Sequence, residues 1–105
     1  MSILIQSSED TVTFQLPTTF NCSCQAEFRQ AYEKFSHQDL KSIVLSFRHT
    51  EYIDSASIGM ILVLREFIRD KLNIKENIIE IEGGSDYIQQ IFKMVRFEDL
   101  FYVRP

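Results

Sequence analysis

The run Asp54-Ser55-Ala56-Ser57-Ile58-Gly59 places one carboxylate and two hydroxyls at the doorway of the apolar segment Met60-Ile61-Leu62-Val63-Leu64. That segment reads as helical, so the polar groups fall at a helix N-terminus, where backbone N–H groups lack intrahelical partners and the dipole is positive. Such a place suits a residue that gains or loses a phosphate. Ser55, in the first turn, is the candidate acceptor, and a phosphate there would add roughly −1.5 to −2 charge at pH 7. Asp54 beside it would add repulsion, so modification would weaken any contact made at this surface. The plain alternative is an N-cap or first-turn serine with no chemistry.

Other chemistries are poorly supplied. No Gly-x-Ser-x-Gly elbow surrounds Ser55, no glycine-rich phosphate loop is present, and Gly83-Gly84 reads only as a turn. Neither His37 nor His49 is placed near a nucleophile, so the chain reads as a non-enzyme with no cofactor. Cys22 and Cys24 are one residue apart, which is poor geometry for an unstrained disulfide and supplies at most half a tetrahedral metal site. A metal would need His37 and His49 to converge on them, so two reduced thiols and no metal are expected.

The chain of 105 residues is expected to be a single domain, 1–105, able to bury on the order of two-thirds of its unfolded surface. Its 45% hydrophobic and 25% charged content is ordinary for a globular protein, with nine Phe and four Tyr to fill an interior. A formal net charge of −4 without a basic patch argues against a nucleic-acid binder. The segment Met1 to Asp10 lacks the charged start and sustained apolar stretch of a signal peptide, and Ile58 to Leu64 is too short to cross a bilayer. A cytoplasmic protein without membrane insertion is expected.

The elements that must position the doorway follow from periodicity. Ile3 to Ile5 and Thr11 to Leu16 read as an opening hairpin, in which Val12, Phe14 and Leu16 alternate with polar residues. Pro17 ends the second strand. Asn21 or Ser23 then caps a helix with Cys24, Phe28, Ala31, Tyr32 and Phe35 on one side. Ile43 to Phe47 is a compact central strand. A helix from Asp54 or Ser55 to about Leu72 carries Ile58, Ile61, Leu62, Ile68 and Leu72 on one stripe, and Met60, Val63, Leu64 and Phe67 on another. Ile78 to Ile81 is a further strand, Ser85 caps a last helix with Ile88, Ile91, Phe92 and Val95, and Phe101 to Val103 closes the chain. This order implies an α/β fold with a mixed sheet of about four to five strands and helices mainly on one face. The loop Arg48 to Ile53, at the carboxyl end of the central strand, is the natural functional loop.

Asp54-Ser55-Ala56-Ser57-Ile58-Gly59, preceded by Tyr52-Ile53, resembles the signature of STAS domains, especially bacterial anti-sigma factor antagonists. In that family a buried strand, here Ile43 to Phe47, leads to a loop ending Asp-Ser-Ser-Gly-Leu-Gly, and the C-terminal helix ends in a segment similar to Phe92-Lys93-Met94-Val95-Arg96-Phe97-Glu98-Asp99-Leu100-Phe101. The resemblance covers nearly the whole chain. Asp54 matches the family's acidic residue and Ser55 its phosphorylated serine, while Ala56 stands for a second hydroxyl and Ser57 for a glycine, leaving Ser57 as an alternative acceptor.

The resemblance implies a protein that, unphosphorylated, binds a partner carrying a serine kinase and anti-sigma module. The kinase, using its own ATP, inactivates it, and a metal-dependent serine phosphatase restores it. Tyr52, Ile53 and Met60, with Asp54, Ser55 and Ser57, are then the expected partner contacts. The alternative within the same resemblance is a STAS accessory subunit or scaffold that is not phosphorylated, serving a transporter ATPase or a stress-signalling complex.

Overall fold

Alternation along the strands decides which side of the sheet is covered. The computed structural model describes residues 3–35 and 39–105. Its strands are β1 (Leu4–Ser7), β2 (Thr11–Gln15), β3 (Thr19–Phe20), β4 (Ser42–Ser46), β5 (Tyr52–Ile53), β6 (Ile79–Glu82) and β7 (Tyr102–Arg104). Its α-helices are α1 (Gln25–Glu33), α2 (Ser55–Asp70) and α3 (Asp86–Met94). The main sheet has the order β1-β2-β4-β6-β7. β1 runs antiparallel to β2 and the remaining pairs are parallel, so the sheet is mixed as expected.

Register places Val12, Ile43 and Ile79 side by side, and next to them Phe14, Leu45 and Ile81, all buried. Between these rows Thr13, Val44, Glu80 and Tyr102 align on the opposite face, followed by Gln15, Ser46, Glu82 and Arg104. One face is therefore apolar and the other mostly polar. Phe28 of α1, Ile61 and Leu64 of α2, and Ile88 and Phe92 of α3 all join one cluster with the apolar face, while Val44 of the polar face stays outside it. The cluster is bound by aromatic edge contacts, Phe14 to Phe28 at 6.3 Å and Phe47 to Phe92 at 5.1 Å between ring centroids.

Boundaries shift by a residue or two from the periodicity reading, as fraying element ends allow. β1 runs to Ser7, β4 and β6 begin and end around Ile43 and Ile81, and α2 stops at Asp70. Asn21 caps a 3₁₀ turn, Cys22–Cys24, that leads into α1, its side chain accepting from Ser23 N. Sequence periodicity gives no sign of β3 and β5, which pair in parallel as a separate two-stranded ribbon. Each is only two residues long, too short to show alternation.

The turn from β6 to α3 needs its glycines. Gly83 and Gly84 have φ of 79° and 104°, and a Cβ on Gly83 would lie 2.8 Å from Arg48 Cγ. The close approach brings Arg48 against Glu82, with Arg48 Nε donating at 2.9 Å and an Arg104 terminal nitrogen at 2.7 Å to the other oxygen.

Partial burial alone would raise the Glu82 carboxyl. The Arg48 hydrogen bond and charge, the Arg104 charge and a hydrogen bond from Ser46 outweigh it and hold Glu82 below its ordinary value of 4.5. A depressed folded-state pKa contributes stability that is present above the unfolded value and lost as pH falls through the folded one. Urea midpoints of the wild type and Glu82→Gln are therefore expected to differ at pH 7 and to converge as pH falls below the ordinary carboxylate value and through the lower one of folded Glu82.

Candidate functional site

The loop from β4 to α2 is held at both ends before it reaches the doorway. Phe47 N donates to Glu82 O at 2.8 Å and Thr50 N to Phe47 O at 3.1 Å, which folds the chain back immediately after β4. Thr50 is buried, and its hydroxyl reaches Leu16 O at 3.4 Å. Glu51 N and Tyr52 N both donate to Thr18 O, and β5 then pairs with β3, with Tyr52 opposite Thr19 and Ile53 opposite Phe20. The segment after Pro17 is thus the platform on which the functional loop lies.

Asp54 is the N-cap of α2, in extended conformation with φ −131° and ψ −177°. Its carboxylate accepts from Ser57 N at 2.9 Å, while the Ser57 hydroxyl accepts from Asp54 N at 3.0 Å and donates to Asp54 O at 2.7 Å. This is a reciprocal capping box, with serine at the position where glutamate or glutamine is usual. Its sequence signal was the acidic residue three positions before a hydroxyl at the head of an apolar run, a pattern that the reading of Ser57 as a spare hydroxyl passed over. Asp54→Ala is expected to lower stability by about 1 kcal/mol, seen as a lower urea midpoint, with most of the loss recovered in Asp54→Asn.

The two serines have opposite surroundings. Ser55 is exposed at the first helical position, whereas Ser57 has 0% exposure and its hydroxyl is engaged by the cap. The expected contact residues divide as well. Tyr52 is 48% exposed, but Ile53 at 3% and Met60 at 7% belong to the core rather than to an open surface. Ile53 points inward because Tyr52 takes the outward side of the same short strand. Met60 lies on the buried side of α2 with Ile61, Leu64 and Ile68. Asp54, Ser55 and Tyr52 remain the accessible part of the predicted set, with Ala56 also exposed beside them.

The cysteines take no part in this arrangement. Cys22 is exposed and Cys24 buried, both are free thiols, and the Cys24 thiol donates to Thr19 O at 3.6 Å. His49 is exposed on the functional loop, and His37 lies outside the described residues. Among the described residues no group of three or more His, Cys, Asp or Glu side chains could hold a metal. No helix among them is long and apolar enough to cross a membrane.

The five-stranded mixed sheet with its helices on one face has the fold of anti-sigma factor antagonists of known structure. The chain is 28% identical over 92 residues to a STAS-domain containing protein of Pseudomonas aeruginosa (strain UCBPP-PA14), a match covering 88% of this chain and 86% of that one. It superposes on an anti-sigma factor antagonist from Mycobacterium paratuberculosis with a TM-score of 0.80 at 9% identity, over 99% of this chain and 85% of the other.

The anti-sigma factor antagonist SpoIIAA is a further structural neighbour in both of its states. The phosphorylated form, from Bacillus, gives a TM-score of 0.70 at 13% identity over 97% of this chain and 90% of that one. The unphosphorylated form gives 0.70 at 14% over 97% and 86%. No protein-family model matches the chain.

Proposed function

We propose that this protein is a phosphorylation-switched binding regulator, similar in its job to anti-sigma factor antagonists. In its unmodified form it binds a partner with a serine kinase and anti-sigma module, and a phosphate on Ser55 releases it. The observation that carries this reading is the contrast at the head of α2: Ser55 offers an exposed hydroxyl, while Ser57 is sealed into the cap. A kinase must bring a phosphoryl group onto an accessible oxygen, and phosphorylating Ser57 would require the first turn to open. The likeness to SpoIIAA, solved both with and without its phosphate, supports the same cycle on this fold.

On this reading the chain is a substrate and binding module rather than an enzyme, and the kinase partner holds the ATP. A metal-dependent serine phosphatase resets Ser55, and the cycle runs in the cytoplasm without nucleic acid. Asp54, Ser55 and Tyr52 form the accessible contact, and Ser57, Ile53 and Met60 support it from beneath.

The test is capture of the partner by the unmodified protein, followed by incubation of the complex with ATP and mass mapping of both serines. Phosphate on Ser55 together with release of the partner is the expected result. A complex that persists with ATP and leaves both serines bare would favour the constitutive accessory-subunit role instead.

A further inference from the structure

We infer that the cleft between α1 and α2 is a binding site for a small amphipathic anion, a carboxylate carrying a compact apolar body. The cleft has a volume of about 350 Å³, at the small end of the range for ligand pockets. Its α2 wall is made by Ala56, Gly59 and Val63, one side of the helix in successive turns. The space exists because two of these are so short: a Cβ built on Gly59 meets nothing within 4 Å. Phe28 and Met60, both buried, give an apolar floor.

The polar groups of the cleft point to the charge of the occupant. Tyr32 is only 5% exposed, its ring held against Phe28 and Phe67 at 5.3 and 5.1 Å between centroids. Its hydroxyl has no hydrogen-bond partner among the described residues, although tyrosines this deeply buried usually find one. No fully buried side-chain oxygen or nitrogen among those residues lacks a partner, so the hydroxyl keeps some access to solvent, and Tyr32 is one of the residues that line the cleft.

Arg29 stands beside it, and its Nε donates to Glu33 at 3.0 Å. Among the described residues its two terminal nitrogens have no partner, and they can grip a carboxylate side-on. Burial raises the Tyr32 phenol, the Arg29 charge pulls it down and the Glu33 charge raises it, which places the three groups within electrostatic reach of one another. In a chain of net charge −4, Arg29 is the one charged group among the described residues that line this cleft, and the Glu33 carboxylate pairs with it from outside that lining. An anionic head at Arg29 and Tyr32 with an apolar body over Gly59 satisfies both halves of the site. This inference does not depend on phosphorylation of Ser55.

The test is titration of the ¹⁵N-labelled full chain with octanoate and, separately, with octanol, following the amides of Ala56, Gly59 and Val63. Octanoate is expected to give saturable shifts with an affinity about tenfold or more above that of octanol, since a charge-assisted pair is lost with the carboxylate. Gly59→Leu places a side chain in open space, so the variant is expected to keep its thermal midpoint and lose the saturable shifts. Arg29→Gln is expected to bring octanoate down to the affinity of octanol. Absence of saturation with octanoate, equal affinity for octanol, or undiminished binding in a folded Gly59→Leu variant would each overturn the assignment.

Discussion

Ser55→Asp is expected to weaken binding of the kinase partner about 30-fold or more, while Ser55→Ala binds as the wild type does. Like charges brought together at an interface cost several kcal/mol, and each 1.4 kcal/mol is a factor of ten in affinity. The new carboxylate would stand next to Asp54 on an exposed turn, so two negative charges would meet the partner where there was one. A phosphate carries more charge than aspartate and is expected to do more. The comparison isolates the contact, because an acidic residue in the first turn of a helix is favoured by the helix dipole and the variant should fold normally. Calorimetric titration of both variants with the captured partner reads the effect, and equal affinities would remove the switch from the account.

Phe47→Ala is expected to cost about 3–5 kcal/mol, a large share of the stability of a domain this size. Phe47 has 0% exposure and lies between Phe20 and Phe92, at 6.1 and 5.1 Å. It is also where β4 hands over to the functional loop, and its backbone anchors both Glu82 O and Thr50 N. Truncation would open a cavity between the α3 side of the core and the β3 platform that carries Tyr52 and Ile53. A fall of about 10 °C or more in the thermal midpoint is expected, at roughly 4–8 °C per kcal/mol.

The residues whose burial has a period were legible from the sequence. Ile43, Leu45 and Phe47 with flanking polar residues announce a covered strand, and the run from Ile58 to Phe67 announces a helix buried on more than one side. Asp54 or Ser55 as the start of that helix followed from cap chemistry; the structure makes Asp54 the cap and Ser55 the first helical residue, and the site lies at that boundary. What the sequence withheld depends on contacts between distant segments. Thr19 and Phe20 become a strand only because Tyr52 and Ile53 come alongside them. Met60 was expected at a contact surface because its stripe is apolar, and an apolar stripe alone does not distinguish a core from an interface. The cleft beside Gly59 was equally hidden, since its emptiness is set by how far α1 stands from α2.

Asp54 and Ser57 satisfy one another, and none of their three bonds uses the hydroxyl between them. Decorating residue 55 would therefore leave the scaffold as heat-tolerant as before, so a cell could keep a marked population for as long as it kept an unmarked one. A phosphate placed on such a turn would not loosen the cap beneath it. It waits for an eraser.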